Sequence, residues 1–412
     1  MTDLSRNDFV HEIVPPDHKR HWLRIFSVWV GFIIVVGIMA IGGDMAAEMQ
    51  LPEMIGTVLL GNFLLGLLAA FSGYVAGKSG KSFAQLCCDV FPGASGTIVL
   101  LYAPITLIGW YSIECAIFGS LIGNILDLGP VMSRIAMALS AAVFCVTTYL
   151  GFRGIQWLSF VLVPTVIILG TFVFLYVLET GSGNFGFGPT HLSFDGGLGL
   201  VIGSWALGVV AAYPDLARFA RSPIAAALMG FIGIFVFNSL NFLIGASGAA
   251  LAKQYVPALI LLSAGIPSLA VVMAIGNVWT TNDANLYSAS LGISKAFPIG
   301  RRPAVLASAA ISVVIAFFNP AQFSTFFLFL GILGTTAPAL GGVVLGGQLF
   351  LRPGQPSPPS AGWIGWIAGS LVSYYTSGVI SVPAGFAVGF FAWYAVRELV
   401  ARGLNVPSAE EP

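Results

Sequence analysis

The run Gly276-Asn277-Val278-Trp279-Thr280-Thr281-Asn282-Asp283-Ala284-Asn285 lies inside an otherwise apolar stretch, and its reading decides the fold. Seven of these ten side chains are polar or amphipathic, in a chain that is 57% hydrophobic and only 8% charged. A polar group that cannot reach water inside a bilayer is costly unless a partner satisfies it. A membrane helix therefore keeps such a cluster only when the cluster binds something or pairs with its neighbours. The run reads as half of a site for a cation and a polar substrate.

The surrounding chain is that of an integral membrane protein. It has 412 residues, a mean hydropathy of +0.92, and apolar runs of about 20 residues, the length that spans a bilayer as a helix. These runs lack the alternation of a membrane strand, which excludes a barrel. The formal net charge is zero, which gives no reason to expect a nucleic-acid partner. Cys87, Cys88, Cys115 and Cys145 sit in or beside apolar runs without metal-ligand spacing and read as buried thiols. The first twenty residues are polar and charged, so no cleavable signal peptide is expected.

The pattern predicts twelve spans, near 25–45, 54–77, 97–126, 131–151, 157–178, 198–213, 224–251, 267–293, 305–318, 323–349, 363–380 and 384–399. With an even number of spans and a cytoplasmic N-terminus, 15 of the 17 Lys and Arg fall on the inner side, leaving Arg134 and Lys253 outside. That bias follows the positive-inside rule and places both termini in the cytoplasm. The expected organisation is a tail over 1–24, a first repeat over 25–180, and a second repeat over 198–350. A Pro-rich linker over 351–362, two further spans over 363–400 and a tail over 401–412 complete it.

Span one carries Gly31, Gly37, Gly42 and Gly43, and span six is short and contains Gly203-Ser204-Trp205-Ala206-Leu207-Gly208. The two segments are equivalent if the first ten spans form two five-helix halves of opposite orientation. Interrupted helices at matching positions point to a transport site at the bilayer midplane. Within span eight the carbonyl of Asn277 falls near the hydroxyls of Thr280 and Thr281. Carbonyls from a broken span one would complete a neutral, all-oxygen cage suited to a monovalent cation. The alternative is that both hydroxyls bond back to their own helix.

In span three, Trp110 and Glu114 are four apart and share a face. A buried carboxylate there is a functional group by default, and Trp110 with Trp205 describes a slot for a planar heterocycle bearing N–H donors. Asp283 is the second intramembrane acid, either a tie between helices or a proton relay. His11, His18, His21 and His191 lie outside every span, so neither a histidine relay nor an intramembrane metal site is available. No soluble catalytic module and no catalytic dyad is evident, so an enzyme is not expected.

The run 277–283 together with Leu286-Tyr287-Ser288-Ala289-Ser290-Leu291-Gly292 closely resembles helix eight of bacterial cytosine permeases, in the nucleobase–cation symport-1 family. Gly61-Asn62-Phe63-Leu64-Leu65-Gly66, Gly109-Trp110 and Asp215-Leu216-Ala217-Arg218-Phe219-Ala220-Arg221 add to the resemblance. It implies an all-α membrane fold of the leucine-transporter type. Ten helices would form a five-plus-five inverted repeat with helices one and six broken, followed by two C-terminal helices. It implies alternating-access import of a nucleobase-like ring, cytosine-like first, coupled to Na+ across a bacterial inner membrane. A proton-coupled purine, hydantoin or hydroxymethylpyrimidine permease using Glu114 or Asp283 is the alternative.

Carried over by position, the ion ligands would be the carbonyls of Gly31, Ile34 and Asn277 and the hydroxyls of Thr280 and Thr281. The ring would lie between Trp110 and Trp205, with Glu114, Ser204, Asn282 and Asn285 around it. No cofactor and no obligatory protein partner is implied beyond substrate, ion and lipid. Cytosine permeases carry Phe in place of Trp205, Ser in place of Leu207 and no carboxylate in place of Glu114. A carboxylate there favours a ligand with two adjacent donors.

Overall fold

All twelve predicted segments are helical in the computed structural model, which describes residues 8–181, 192–320, 323–351, 357–376 and 378–402. The side chains of Ser95 and 323–327 lie outside the described set, as do parts of the predicted outer loop, the Pro-rich linker and both tails. Helices α1 (Trp22–Ile33) and α2 (Val36–Glu48) form one span bent by 49° at the break between them. Then come α3 (Leu51–Ser79), α4 (Phe83–Val90), α5 (Ala94–Ile125), α6 (Pro130–Val143), α7 (Cys145–Tyr149) and α8 (Phe152–Thr180). The second half holds α9 (Phe194–Leu207), α10 (Tyr213–Ala217), α11 (Pro223–Ile232), α12 (Ser239–Ala252), α13 (Pro257–Ser263), α14 (Pro267–Ala296), α15 (Arg301–Phe317) and α16 (Phe323–Gly341). Helices α17 (Pro359–Tyr375) and α18 (Ser381–Ala401) pack on each other as a closing hairpin. Among the described residues there is no strand, only an isolated bridge between Arg20 and Ala220.

The interruption in the sixth predicted span differs in kind from the expectation. Instead of an unwound turn at 203–208, α9 runs on to Leu207 and is joined to α10 by a π turn over Gly208–Ala212. Gly208 and Ala212 keep helical dihedrals, so the chain is widened by the extra residue rather than broken. Two short helices were not read from the sequence. One is α4, whose start is a reciprocal cap between Ser82 and Gln85; the other is α13, which opens on Pro257.

Long-range packing sets the frame of the site. Helix α5 lies along α14, α3 along α11, and α2 along α12. The last pair approaches backbone to backbone, because a Cβ at Gly42 would fall on Phe242 and one at Gly245 on the Met39 carbonyl. Small residues at a crossing permit this approach where no hydrophobic force separates helix from lipid.

The segment before α1 is packed, not loose. Phe9, Val10 and Val14 are buried. Arg218 donates through Nη1 to the Phe9 carbonyl at 3.1 Å and through Nη2 to the Asp8 carbonyl at 2.8 Å. The Asp8 carboxyl accepts from the Phe152 amide at 3.1 Å and pairs with Arg301 at 3.3 Å. Burial pushes that carboxyl above the usual range, and Arg301 pulls it partly back. Arg301 also donates to the carbonyls of Thr148 and Tyr149, at 2.7 and 3.1 Å. One knot thus joins residues 8–9, the turn after α10, the α7–α8 corner and the start of α15.

Candidate functional site

The break in the first span follows from its sequence. Ile33-Ile34-Val35-Val36 is a run of four β-branched residues, which favour extended backbone. Ile34 (φ −75°, ψ 97°) and Val35 (φ −140°, ψ 138°) take it up. Breaking a helix strands its terminal carbonyls and amides, which need partners inside a bilayer. Two asparagines supply them. Asn241 on α12 donates through Nδ2 to the Ile33 carbonyl at 2.6 Å, and the Asn277 Oδ1 on α14 accepts from the Val36 amide at 2.6 Å.

The remaining end carbonyls of α1 meet the threonine pair. The Thr280 hydroxyl lies 2.9 Å from the Gly31 carbonyl and 2.8 Å from that of Gly276 on its own helix. The Thr281 hydroxyl lies 3.1 Å from the Phe32 carbonyl, 3.2 Å from that of Asn277 and 3.4 Å from that of Gly31. Each hydroxyl has a single proton to give. Two protons therefore face four carbonyls, and the cluster is rich in acceptors and free of carboxylates. Gly31, Asn277, Thr280 and Thr281 stand together as expected. Ile34 lies beyond them in the extended pair, and Phe32 supplies the second α1 carbonyl that the hydroxyls reach.

Beside this cluster is a narrow cavity of about 20 Å³, room for about one water molecule. Trp110, Glu114, Ser204, Trp205 and Asn285 line it, with Phe32, Val35, Ile38, Leu107, Gly208 and Thr281. Thr281 belongs to both the cavity wall and the oxygen cluster. Trp205 is wedged edge-to-face against Phe32, at a centroid distance of 4.8 Å, and against Trp29, at 5.6 Å. Its ring lies against Gly208, where a Cβ would overlap it, so the glycine at the π turn makes room for the indole. On the other side Trp110 packs edge-to-face on Phe329, with centroids 5.6 Å apart.

Two polar residues of α14 point elsewhere. Asn282 donates through Nδ2 to the Cys115 sulfur at 3.3 Å and does not line the cavity. The Asp283 Oδ1 accepts from the hydroxyls of Thr147 at 2.5 Å and Thr148 at 2.9 Å, and the Trp279 indole donates to Thr147 at 2.8 Å. Asp283 thereby ties α14 to α7. Among the described residues no group of three or more His, Cys, Asp or Glu is placed to hold a metal ion.

The sequence reading did not include Phe32, Val35, Ile38 and Leu107 in the cavity wall, and nothing distinguishes them from other apolar residues. Asn241 was also not singled out, although an asparagine within an apolar span is a signal in itself. A wider opening is lined by Gly37, Asp44, Asn124, Lys253 and Tyr255 among others.

A bundle of this kind, with a broken first helix meeting a polar stretch of α14 beside a narrow cavity, defines a membrane transporter rather than an enzyme. Solved structures share its fold. Mhp1, a nucleobase-cation-symport-1 family transporter in a closed conformation with bromovinylhydantoin bound, superposes with a TM-score of 0.80 at 17% identity, covering 95% of each chain. A Na+-coupled sialic acid symporter in a substrate-bound outward-open state gives 0.62 at 12% identity, covering 99% of this chain and 96% of the other. These likenesses establish the five-plus-five inverted-repeat fold. Cytosine permease of Escherichia coli (strain K12) is 26% identical over 392 residues, 92% of this chain and 91% of that protein. The family described as permease for cytosine/purines, uracil, thiamine, allantoin matches residues 14–357, and the chain belongs to it.

Proposed function

We propose that this permease imports a planar, nucleobase-like heterocycle, cytosine-like first, by alternating access coupled to Na+. The observation that carries the proposal is the position of Thr281. Its hydroxyl reaches carbonyls of Gly31, Phe32 and Asn277, while its side chain lines the cavity between Trp110 and Trp205. A hard monovalent cation is suited to that acceptor-rich set of neutral oxygens. With an ion there, the hydroxyl protons no longer need to satisfy the carbonyls, and α1 is held to α14 by ion contacts. A ligand in the cavity packs against the same Thr281 and against Phe32 and Val35 at the break. Ion and ligand therefore order the same turn, and each binds better when the other is present.

The inward ion also supplies drive. At about 100 mV, inside negative, one charge contributes about 2.3 kcal/mol, somewhat under two decades of accumulation. This assumes cytoplasmic termini in a bacterial inner membrane, as the inward bias of Lys and Arg supports. The wide opening at Asp44 and Lys253 then faces outward, and the knot at Asp8 closes the inner end.

A second reading, proton coupling, is favoured by one observation: Glu114 is fully buried in the cavity wall, with the Gly37 backbone N–H turned towards its carboxyl and no ion pair to any described residue. Uptake of labelled cytosine into proteoliposomes, with Na+ and pH gradients imposed separately, tests both. A flat response to Na+ removes the sodium claim, and Na+-driven uptake by Glu114→Gln removes the proton claim.

A further inference from the structure

We propose that Ser159, on α8, is a further ligand of the coupling ion, so that three helices rather than two meet there. The inference rests on sodium coupling as proposed, and adds a residue from outside α1 and α14. Ser159 has no exposed surface, and its hydroxyl has no hydrogen-bond partner among the described residues. A polar group left so inside a bilayer is costly, and a ligand that brings the partner removes the cost.

The same helix shows the bond that Ser159 forgoes. Thr165, Thr171 and Thr180 each donate to the carbonyl four residues back, at 3.1, 2.8 and 2.7 Å. Hydroxyls in membrane helices commonly bond in this way, and Ile155 is the residue one turn before Ser159. The Ser159 hydroxyl stands against the last turn of α1 instead. A Cβ added to Gly31 would lie 3.5 Å from the Ser159 Oγ and 3.3 Å from the Thr280 Cβ. A Cβ is about 1.5 Å from its Cα, which puts the Ser159 Oγ within about 5 Å of the Gly31 Cα. Rotation about one side-chain bond resets a serine oxygen among three staggered positions without moving the backbone.

Two glycines open the oxygen cluster to α8. The carbonyls of Gly31 and Gly276 both face the Thr280 hydroxyl, at 2.9 and 2.8 Å. A Cβ at Gly31 would fall 2.6 Å from the Val163 Cγ2, and one at Gly276 would fall 2.6 Å from the Val166 Cγ2. The α8 side chains that meet these glycines are Ser159, Leu162, Val163 and Val166, spaced as one helix face. Three of the four are apolar, and Ser159 brings the oxygen. Helix α8 packs on both α1 and α14. A hard cation takes neutral oxygens, and a hydroxyl offers it a lone pair while keeping its proton.

The test is Ser159→Ala in the purified full-length chain, read by a sodium titration of tryptophan fluorescence and by thermal unfolding in sodium-free buffer. A hydroxyl whose partner is the ion contributes only when the ion is present. The half-saturating sodium concentration is therefore expected to rise about three- to tenfold, with the sodium-free thermal midpoint unchanged or higher. Ser159→Cys refills the space that alanine leaves and offers a soft sulfur in place of a hard oxygen. It is expected to show the same rise, and it carries the decision if the alanine variant does not fold. An unchanged sodium midpoint in either folded variant, or a sodium-free thermal midpoint that falls in Ser159→Cys, overturns the proposal and leaves the α1 and α14 oxygens as the ion site. A wild-type chain that gives no sodium response overturns the sodium reading itself, and this inference with it.

Discussion

Replacing Thr281 with valine separates a helix-tying hydroxyl from an ion ligand. The change keeps the shape and removes only the oxygen, which lies 3.1, 3.2 and 3.4 Å from the carbonyls of Phe32, Asn277 and Gly31. Without sodium the loss is one neutral hydrogen bond, about 0.5–1.5 kcal/mol of stability. With sodium the loss is a contact to a full charge in a site with 3% exposure at Thr281. Taking charge-assisted hydrogen bonds as the guide, that contact contributes about 1.5–3 kcal/mol, or roughly ten- to 150-fold in ion affinity. The assay is tryptophan fluorescence of the detergent-purified chain during a sodium titration, with lithium and potassium as controls. Trp29 and Trp205 pack against Phe32 beside the oxygen cluster and should report its ordering. The half-saturating sodium concentration should rise by at least tenfold in Thr281→Val. An unchanged sodium midpoint alongside a small loss of stability would refute the reasoning and leave Thr281 as a structural tie.

Asn241→Leu should leave the Ile33 carbonyl unpaired in a buried site, costing about 1–3 kcal/mol. A lower thermal midpoint together with weaker sodium stabilisation checks this; a change in neither contradicts the clasp. Arg301→Met strips the charge partner from Asp8 and the donors from two carbonyls, and should cost about 3–5 kcal/mol. Thermal unfolding with the double variant Asp8→Asn/Arg301→Met measures the recovery expected when both charges are removed. Asp283→Asn keeps an oxygen that can accept from Thr147 and Thr148, so uptake should change by less than about 1 kcal/mol in driving terms. A loss of proton-dependent uptake above tenfold would instead make Asp283 a proton carrier.

The spans were legible because a bilayer demands runs of set length, and the polar interruption at 276–285 stood out against them. Thr280, Thr281, Asn277 and Gly31 were legible for the same reason, since the helical repeat places hydroxyls and carbonyls together once a break is assumed. The two-residue shift from Ile34 to Phe32 was not legible. Which carbonyls turn inward depends on where the extended pair falls, and packing on Asn241 and Asn277 fixes that. Asn282 illustrates the same limit from the other side, because neighbouring polar residues on one helix necessarily face different partners and Asn282 faces Cys115. The π turn at Gly208–Ala212 leaves no mark beyond a glycine, and α4 and α13 are shorter than the apolar runs used to find spans. Their capping residues, Ser82 with Gln85 and Pro257, were the available signals.

The stitching of Asp8 and Phe9 onto Arg218 and Arg301 has a practical consequence for work with this permease. These contacts bridge parts of the bundle from both repeats, so any hinge motion that parts them must first shed the leader. Trimming past Asp8 is therefore not a neutral choice of chain start. It is expected to free the Arg218 and Arg301 guanidinium groups and so to loosen the contact between the two repeats.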